Sequence, residues 1–394
     1  MTGRVSTLGY ARRRSGSKAV PRAATLERRA VLLAVPVAML LIIGLGAMLS
    51  ASSVVSIRAT GDSLFYFKRQ VMWVGLGVIA FAVSVRIPYR RWQGLALPLY
   101  VATMALLVLT LIAGDRRNGA VRWIEVGSFT IQAAEFAKLT TLMLLAAALT
   151  KKERWLGHLM HFMAPVGAIL GIVGLLLLAQ PDFGSFMLIL AAAFAVMLTS
   201  AAPIGYVAGL GTLGVMMASI LAFGANYRRS RIDAFLDPMA DPLGAGHQAV
   251  QSLVALGTGG LFGVGLGASR ARWSFLPNAH TDFIFAIIGE ETGMVGSILV
   301  IALFAMFAVV GIRIALAAPD RFGRLLAVGL VALLSFQAIV NIGGVLAVLP
   351  ITGVPLPFVS AGGNAMMVNL AAVGILVNIA RATRVAARGK DVRS

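Results

Sequence analysis

Apolar residues in this chain come in long unbroken runs rather than stripes. Ten runs stand out, at roughly 31–51, 70–86, 94–113, 134–150, 163–179, 185–200, 204–224, 283–312, 325–345 and 362–380. Each is near the ~17–25 residues that carry a helix across a bilayer. In lipid, only helices and closed barrels satisfy every backbone group. Barrel strands would alternate polar and apolar positions, and these runs do not. The pattern predicts an all-α polytopic membrane protein, a bundle of ten transmembrane helices. The run 283–312 exceeds one crossing, so it is expected to be tilted, broken or partly outside the bilayer.

The polar segments are mostly short. The exception is 225–282, a large outer loop between spans 7 and 8, and long ordered loops are usually functional. Within it, Asp237-Pro238 and Asp241-Pro242-Leu243-Gly244 are turn signals. His247 to Leu256 has helical spacing, with Val250, Leu253 and Val254 on one side, and is expected to lie along the membrane surface. The glycine run 257–267, GTGGLFGVGLG, contains G-x-G-x-G, but no strand precedes it and no Walker lysine follows. It reads as a flexible or closely packed backbone segment whose N–H groups could approach a phosphate. The segment 346–364, LAVLPITGVPLPFVSAGGN, carries three prolines. It cannot be a plain helix and is expected to re-enter the bundle and line a cavity.

Composition agrees: 59% of the 394 residues are hydrophobic and mean hydropathy is +0.89. The formal charge is +19, with no cysteine for a disulfide, metal site or thiol nucleophile. With the N-terminus and every second loop on one side, that side holds 22 Lys and Arg against 11 opposite, and Lys138 inside a span completes the 34. The positive-inside rule then places both termini in the cytoplasm. The basic excess is topological, which argues against nucleic acid as a partner. Residues 1–30 form a basic, Ser-rich tail that reads as disordered, 31–380 the membrane domain and 381–394 a second basic tail. A signal peptide cleaved near Ser50-Ala51-Ser52 is the rival reading of 1–52, but the apolar run is long for one.

Chemistry-bearing residues crowd the outer face. Arg122 and Trp123 sit in the loop 114–133, where Trp is commonly an interface anchor and Arg could meet phosphate or headgroups. Glu135 and Lys138, spaced i and i+3, can pair on one helix. They are either a packing ion pair or, as intramembrane charges, functional. Gln180-Pro181-Asp182-Phe183-Gly184 reads as a tight turn with Asp182 as helix N-cap. LPNAHTDFIFAIIGEE, 276–291, places His280 and Asp282 at the start of a span and Glu290 and Glu291 inside it. The two glutamates read as partners for buried cations. Five elements, 115–138, 180–184, 227–282, 290–291 and 349–364, are expected to converge. Such a site, open to the exterior, suits a phosphate-bearing or anionic lipid.

The stretches NGAVRWIEVGSFTIQAAEFAKL, QPDFG, YRRSRIDAFLDPMADPLGAGHQAVQSLVALGTGGLFGVGLG, LPNAHTDFIFAIIGEETG and LPITGVPLPFVSAGGN resemble, in order, the SEDS family of FtsW, RodA and SpoVE type. The YRR start and GEE are more similar to the FtsW division branch. The resemblance implies a peptidoglycan glycosyltransferase that polymerises lipid II, releasing undecaprenyl pyrophosphate, outside the cytoplasmic membrane and at the division septum. It implies a class B penicillin-binding transpeptidase and other division proteins as partners, within membrane lipid. It carries the catalytic acid onto Asp282 and conserved positions onto Trp123, Glu135 and Lys138. Arg122, Gln180, Asp182, Gln251, Ser252, His280 and Ser360 lie in matching stretches and join Trp123, Glu135 and Lys138 as candidate substrate contacts. The chain departs from the family at Ala133 (proline expected), His247 (tyrosine), Asn278 (an acid), Ala361 (tyrosine) and Asn364 (serine).

The reaction needs a base for the acceptor 4-hydroxyl, worth about 10²–10⁴-fold. Asp282 suits it, because burial raises a carboxylate's proton affinity; His280 is the alternative. The leaving pyrophosphate needs cations, for which Arg122, Lys138 and the loop arginines are candidates. A divalent cation, Mg or Mn, could share that work, although no metal motif is present. A lipid II transporter and a non-catalytic division scaffold remain the competing classes.

Overall fold

The computed structural model describes residues 22–117, 120–127, 129–224, 226–270 and 281–391. Among these, nine helices are long and apolar enough to cross a membrane: α1 (Arg22–Thr60), α2 (Phe65–Arg86), α3 (Tyr89–Ala113), α4 (Ala133–Lys151), α5 (Leu159–Ala179), α7 (Ile204–Phe223), α10 (Ile284–Ala317), α11 (Arg321–Val345) and α12 (Gly363–Asp391). The shorter apolar α6 (Phe183–Leu198) occupies the remaining expected span. The chain is thus a multi-pass helical membrane protein. α8 (Asn226–Leu236) and α9 (His247–Gly259) lie in the long loop.

Two ends differ from expectation. α1 begins at Arg22, inside the tail expected to be disordered, and α12 continues to Asp391. Both extensions are rich in Ala and Arg, strong helix formers. α1 also runs unbroken through Ser50, Ala51 and Ser52, with Ala51 and Ser52 fully buried. That seals the rival cleavage site inside the bundle.

The loop 114–133 is not irregular. It forms an antiparallel sheet, β1 (Asp115–Arg117), β2 (Ala120–Val126) and β3 (Phe129–Ile131), in the order β1-β2-β3. Val126 pairs with Phe129 across Gly127, whose φ is +62°. The sheet is pinned from two sides. Asn364 donates to the Thr130 carbonyl at 2.7 Å, Arg69 donates to the Thr130 hydroxyl at 3.3 Å, and Trp73 meets Phe129 edge-on at 5.8 Å.

α10 is the long run, and it is broken. Gly293 has φ +68° and ψ −162°, which interrupts the helix. A break inside a bundle must re-satisfy its backbone groups. The glycine-rich segment after α9 does so. Val264 and Gly265 N–H donate to the Glu290 and Glu291 carbonyls at 3.0 and 3.1 Å, while Met294 and Val295 N–H reach the Gly260 and Leu261 carbonyls at 2.9 and 3.3 Å. Gly263, at φ +82°, lies so close to the Glu291 carbonyl that no side chain fits. The glycine run is therefore closely packed backbone, as expected, and it stitches the break in α10. α9 presents Ala249, Ser252, Ala255 and Gly259 inward, against α10, and leaves Leu253 and Val254 exposed. Its larger apolar side faces outward, as a surface-lying helix requires.

α11 supports the site from within the bundle, packed on α4, α6 and α10. Between α11 and α12, residues 350–355 are irregular, neither helix nor strand, and the chain folds back into the bundle. Val359 reaches Gly44 of α1, where a Cβ would stand 2.6 Å from the Val359 Cα. The expected re-entry is present.

Candidate active site

Asp282 stands two residues before α10, next to the buried Phe283. Its carboxylate faces Gly353, where an added Cβ would lie 3.6 Å from Oδ2. Gly353 adopts φ +74°, and together with Ile351, Thr352 and Val354 it forms a strap along the cleft. That cleft is also lined by Asn341, Gly344 and Val345. A second cleft, lined by Arg231, Phe235, Gln248 and Leu349, shares Gly344 and Ile351 with the first. Arg231 ties α8 to the strap through a 2.9 Å bond to the Ile351 carbonyl.

Burial pushes the Asp282 carboxyl up to about 6, against the opposing pull of the Arg231 and Arg122 guanidiniums. A carboxylate half-protonated near pH 6 is a stronger base than a solvated one, yet is still ionised at neutral pH.

Lys138 bonds Glu135 at 2.8 Å, as the i, i+3 spacing predicts, and also reaches Gln337 Oε1 at 3.3 Å. Gln337 in turn donates to the Pro355 carbonyl at 2.9 Å. One turn along α11, Asn341 donates to the carbonyls of Asp282 and Val354, both at 2.8 Å. A polar relay thus runs from α4 through α11 to the strap and to Asp282. The sequence reading missed Gln337, Asn341 and the particular importance of Arg231. A signal existed: two amides at i and i+4 inside an apolar span share one face, and polar groups there are expensive.

Other predicted residues have structural duties. Arg122 donates to the Pro181 carbonyl and, at 3.5 Å, to that of Gln180, so it braces the α5–α6 turn. Gln180 donates to the Leu107 carbonyl at 2.8 Å, and Asp182 caps α6 by accepting from Ser185 N–H at 3.2 Å. Ser252 bonds the Val345 carbonyl at 3.0 Å behind the cleft. Ser360 accepts from Leu356 N–H at 2.8 Å. Trp123 is partly buried on β2 and Gln251 partly buried on α9. Glu290 and Glu291 are not brought to the cleft. Glu290 accepts from the Ser269 hydroxyl and from Arg270 N–H, and the described partner of Glu291 is the Ser50 hydroxyl rather than a cation. Their place is beside the stitched break. His280 and Asn278 lie outside the described residues.

Among the described residues, no three acidic or histidine side chains stand together to hold a metal. Among the described residues, the charges acting on Asp282 are two arginines, a poor cradle for a resident dication, so no step is routed through one.

The arrangement can be set beside known proteins. The family model described as "Cell cycle protein", FtsW/RodA/SpoVE, matches residues 30–385. The chain belongs to the FtsW/RodA/SpoVE family. It is 40% identical to stage V sporulation protein E of Bacillus subtilis (strain 168), over 90% of this chain and 97% of that protein. It is 39% identical to a probable peptidoglycan glycosyltransferase FtsW of Geobacter sp. (strain M18), over 86% and 93%. Among solved structures it is similar to a chain of a peptidoglycan synthase complex described for its coordination of polymerization and crosslinking, with TM-score 0.72, 29% identity and coverage of 89% and 97%. The rod shape determining protein RodA of Thermus thermophilus aligns with TM-score 0.66 and 28% identity, covering 89% and 95%.

The departures from the FtsW/RodA/SpoVE pattern have local accounts. Ala133 is the first residue of α4 and fully buried. Asn364 uses its longer side chain to hold β3 through Thr130. Ala361 is partly buried at the end of the irregular segment, and nothing in the structure explains the loss of a tyrosine there.

Proposed function

We propose that the chain is a peptidoglycan glycosyltransferase that polymerises lipid II at the outer face of the cytoplasmic membrane, with Asp282 as general base. The observation that carries this reading is the Asp282 carboxylate in a narrow cleft, its proton affinity raised by burial and bounded by two guanidiniums. Asp282 takes the proton from the acceptor sugar 4-hydroxyl. That oxygen bonds to C1 of the lipid-linked sugar, and the bond from C1 to the pyrophosphate oxygen breaks with inversion. Arg231, beside the adjoining cleft, is suited to stabilise the negative charge that develops on the departing undecaprenyl pyrophosphate. Arg122 adds positive potential from the β2 side.

Several further points belong to this proposal. Both termini are cytoplasmic, by the distribution of basic residues. The division septum is the site of action, following the FtsW-named relatives, and a class B penicillin-binding transpeptidase is the partner, by analogy with the synthase complex. Transport is the weaker reading, because the Glu135–Lys138 pair is sealed at 2–3% side-chain exposure and gives an anionic headgroup no open path.

The test is lipid II polymerisation in proteoliposomes, using the chain co-purified with its cognate transpeptidase whose crosslinking site is blocked. Glycan strands from wild type and none from a folded Asp282→Asn variant support the proposal. Equal polymerisation by both removes Asp282 from the mechanism. Lipid II crossing the bilayer with no polymer from either would favour a transporter.

A further inference from the structure

α11 offers a fixed point for the base. Asn341 is 5% exposed, and its one amide nitrogen serves two backbone carbonyls, those of Asp282 and Val354. Turned over, the amide would press its oxygen against two carbonyl oxygens, so its orientation is fixed. Oδ1 is left buried with no hydrogen-bond partner among the described residues. A buried acceptor left unmet costs stability, so packing alone does not account for an amide here. Nor does the strap depend on it alone, because Arg231 holds the Ile351 carbonyl within it and Gln337 the Pro355 carbonyl just after it. Asn341 touches the Asp282 backbone as well, and joins it to the strap that its carboxylate faces.

We propose that Asn341 is a positioning residue: its amide clamps the Asp282 turn to the 351–354 strap and sets where the Asp282 carboxylate stands in the cleft. This rests on the reading of Asp282 as the base. Among the described residues, the charged groups acting on Asp282 are Arg231 from α8 and Arg122 from β2. From α4, Lys138 is engaged by Glu135 and Gln337. α11 and the strap contribute only neutral groups here: Gln337, Asn341 and Thr352. Without the clamp, the carboxylate is free to turn toward solvent.

The experiment uses the full chain with its cognate transpeptidase and compares wild type, Asn341→Leu, Asn341→Gln and Asp282→Asn for lipid II polymerisation across pH. Misplacing a catalytic group by about 1 Å costs on the order of 100-fold. Asn341→Leu is expected to lower kcat about 10- to 100-fold with little change in KM. The acid limb of its profile should move from about 6 toward the ordinary carboxylate range of about 4. Asn341→Gln keeps the amide but displaces it by a methylene, and should move the limb the same way with a smaller loss. It carries the test if Asn341→Leu does not fold. A folded variant of either kind whose limb stays at the wild-type position overturns the clamp, whether or not its kcat falls. That outcome, with Asp282→Asn inactive, leaves the base reading standing. Polymerisation by Asp282→Asn removes both.

Discussion

Lys138 Nζ lies 2.8 Å from the Glu135 carboxylate one turn earlier on α4, and neither side chain is more than 3% exposed. Removing one partner of a buried pair strands the other charge, at a cost of about 3–5 kcal/mol. Glu135→Gln and Lys138→Met should each melt well below wild type in detergent. Glu135→Leu combined with Lys138→Met should recover most of that stability, because an apolar pair of similar volume avoids the desolvation cost. Polymerisation should stay lost in the double variant, since the Lys138 bond to Gln337 goes with it. Recovery of both properties would reduce the pair to packing.

The Asp282 carboxyl, raised from 3.8 to about 6, gives two linked expectations. A base must be ionised, so kcat/KM should fall as pH drops through about 6, and Asp282→Asn should lose about 10²–10⁴-fold at neutral pH. Stability runs the other way. Between the unfolded and folded values the native state holds more protons, so this group's contribution falls as pH rises through that window. Asp282→Asn should therefore melt above wild type at pH 7.5, with the gap closing below pH 4. Melting curves at four pH values check the sign.

Arg231 lowers the Asp282 value and holds the Ile351 carbonyl. Arg231→Gln should reduce kcat and move the acid limb upward, above about 6, opposite to the shift expected for the Asn341 variants. A pH profile that keeps its limb in place would show that Arg231 acts only through the strap.

How much of this was legible beforehand depends on which physical signal each element carries. The spans were, because some twenty apolar residues in a row have few other uses in lipid. So was the Glu135–Lys138 pair, since i, i+3 spacing on a helix is a local rule. β2 was not, although Val121, Trp123, Ile124 and Val126 are strand formers and Gly127-Ser128 is a two-residue hairpin signal. Hydropathy alone sorts such a segment as loop. The Asn341 bonds to Asp282 and Val354 were out of reach, because they join α11 to an irregular segment beyond its end and to a residue 59 positions earlier. Hydropathy did flag 283–312 as too long, but only the structure selects a break among the three options. The partner that heals it, the glycine run, lies earlier in the chain.

That stitch makes particular glycines expensive to change. Gly263 (φ +82°) would place a Cβ on the Glu291 carbonyl, and Gly293 (φ +68°) would place one on the Gly263 nitrogen. Left-handed backbone at a residue with a side chain costs about 1–3 kcal/mol before any clash. Gly263→Ala and Gly293→Ala should each lower the melting temperature by several degrees. Gly257, inside α9 with open space around it, is the control: Gly257→Ala should be neutral or stabilise by about 0.5–1 kcal/mol. Equal melting of all three would mean the stitch adds nothing to stability.

Ala133 offers a gain in stability. It opens α4, after Gln132 at φ −108° and ψ 104°, the extended conformation favoured before a proline. A first-turn N–H has no partner within its helix, so a proline there gives up no helical bond. Ala133→Pro should stabilise by about 0.4–1 kcal/mol, chiefly by restricting the unfolded chain, and leave kcat unchanged because Glu135 and Lys138 keep their register. Ala133 is fully buried, so the ring must fit against its neighbours. A melting temperature below wild type would mean that the packing around α4 has closed over the smaller side chain.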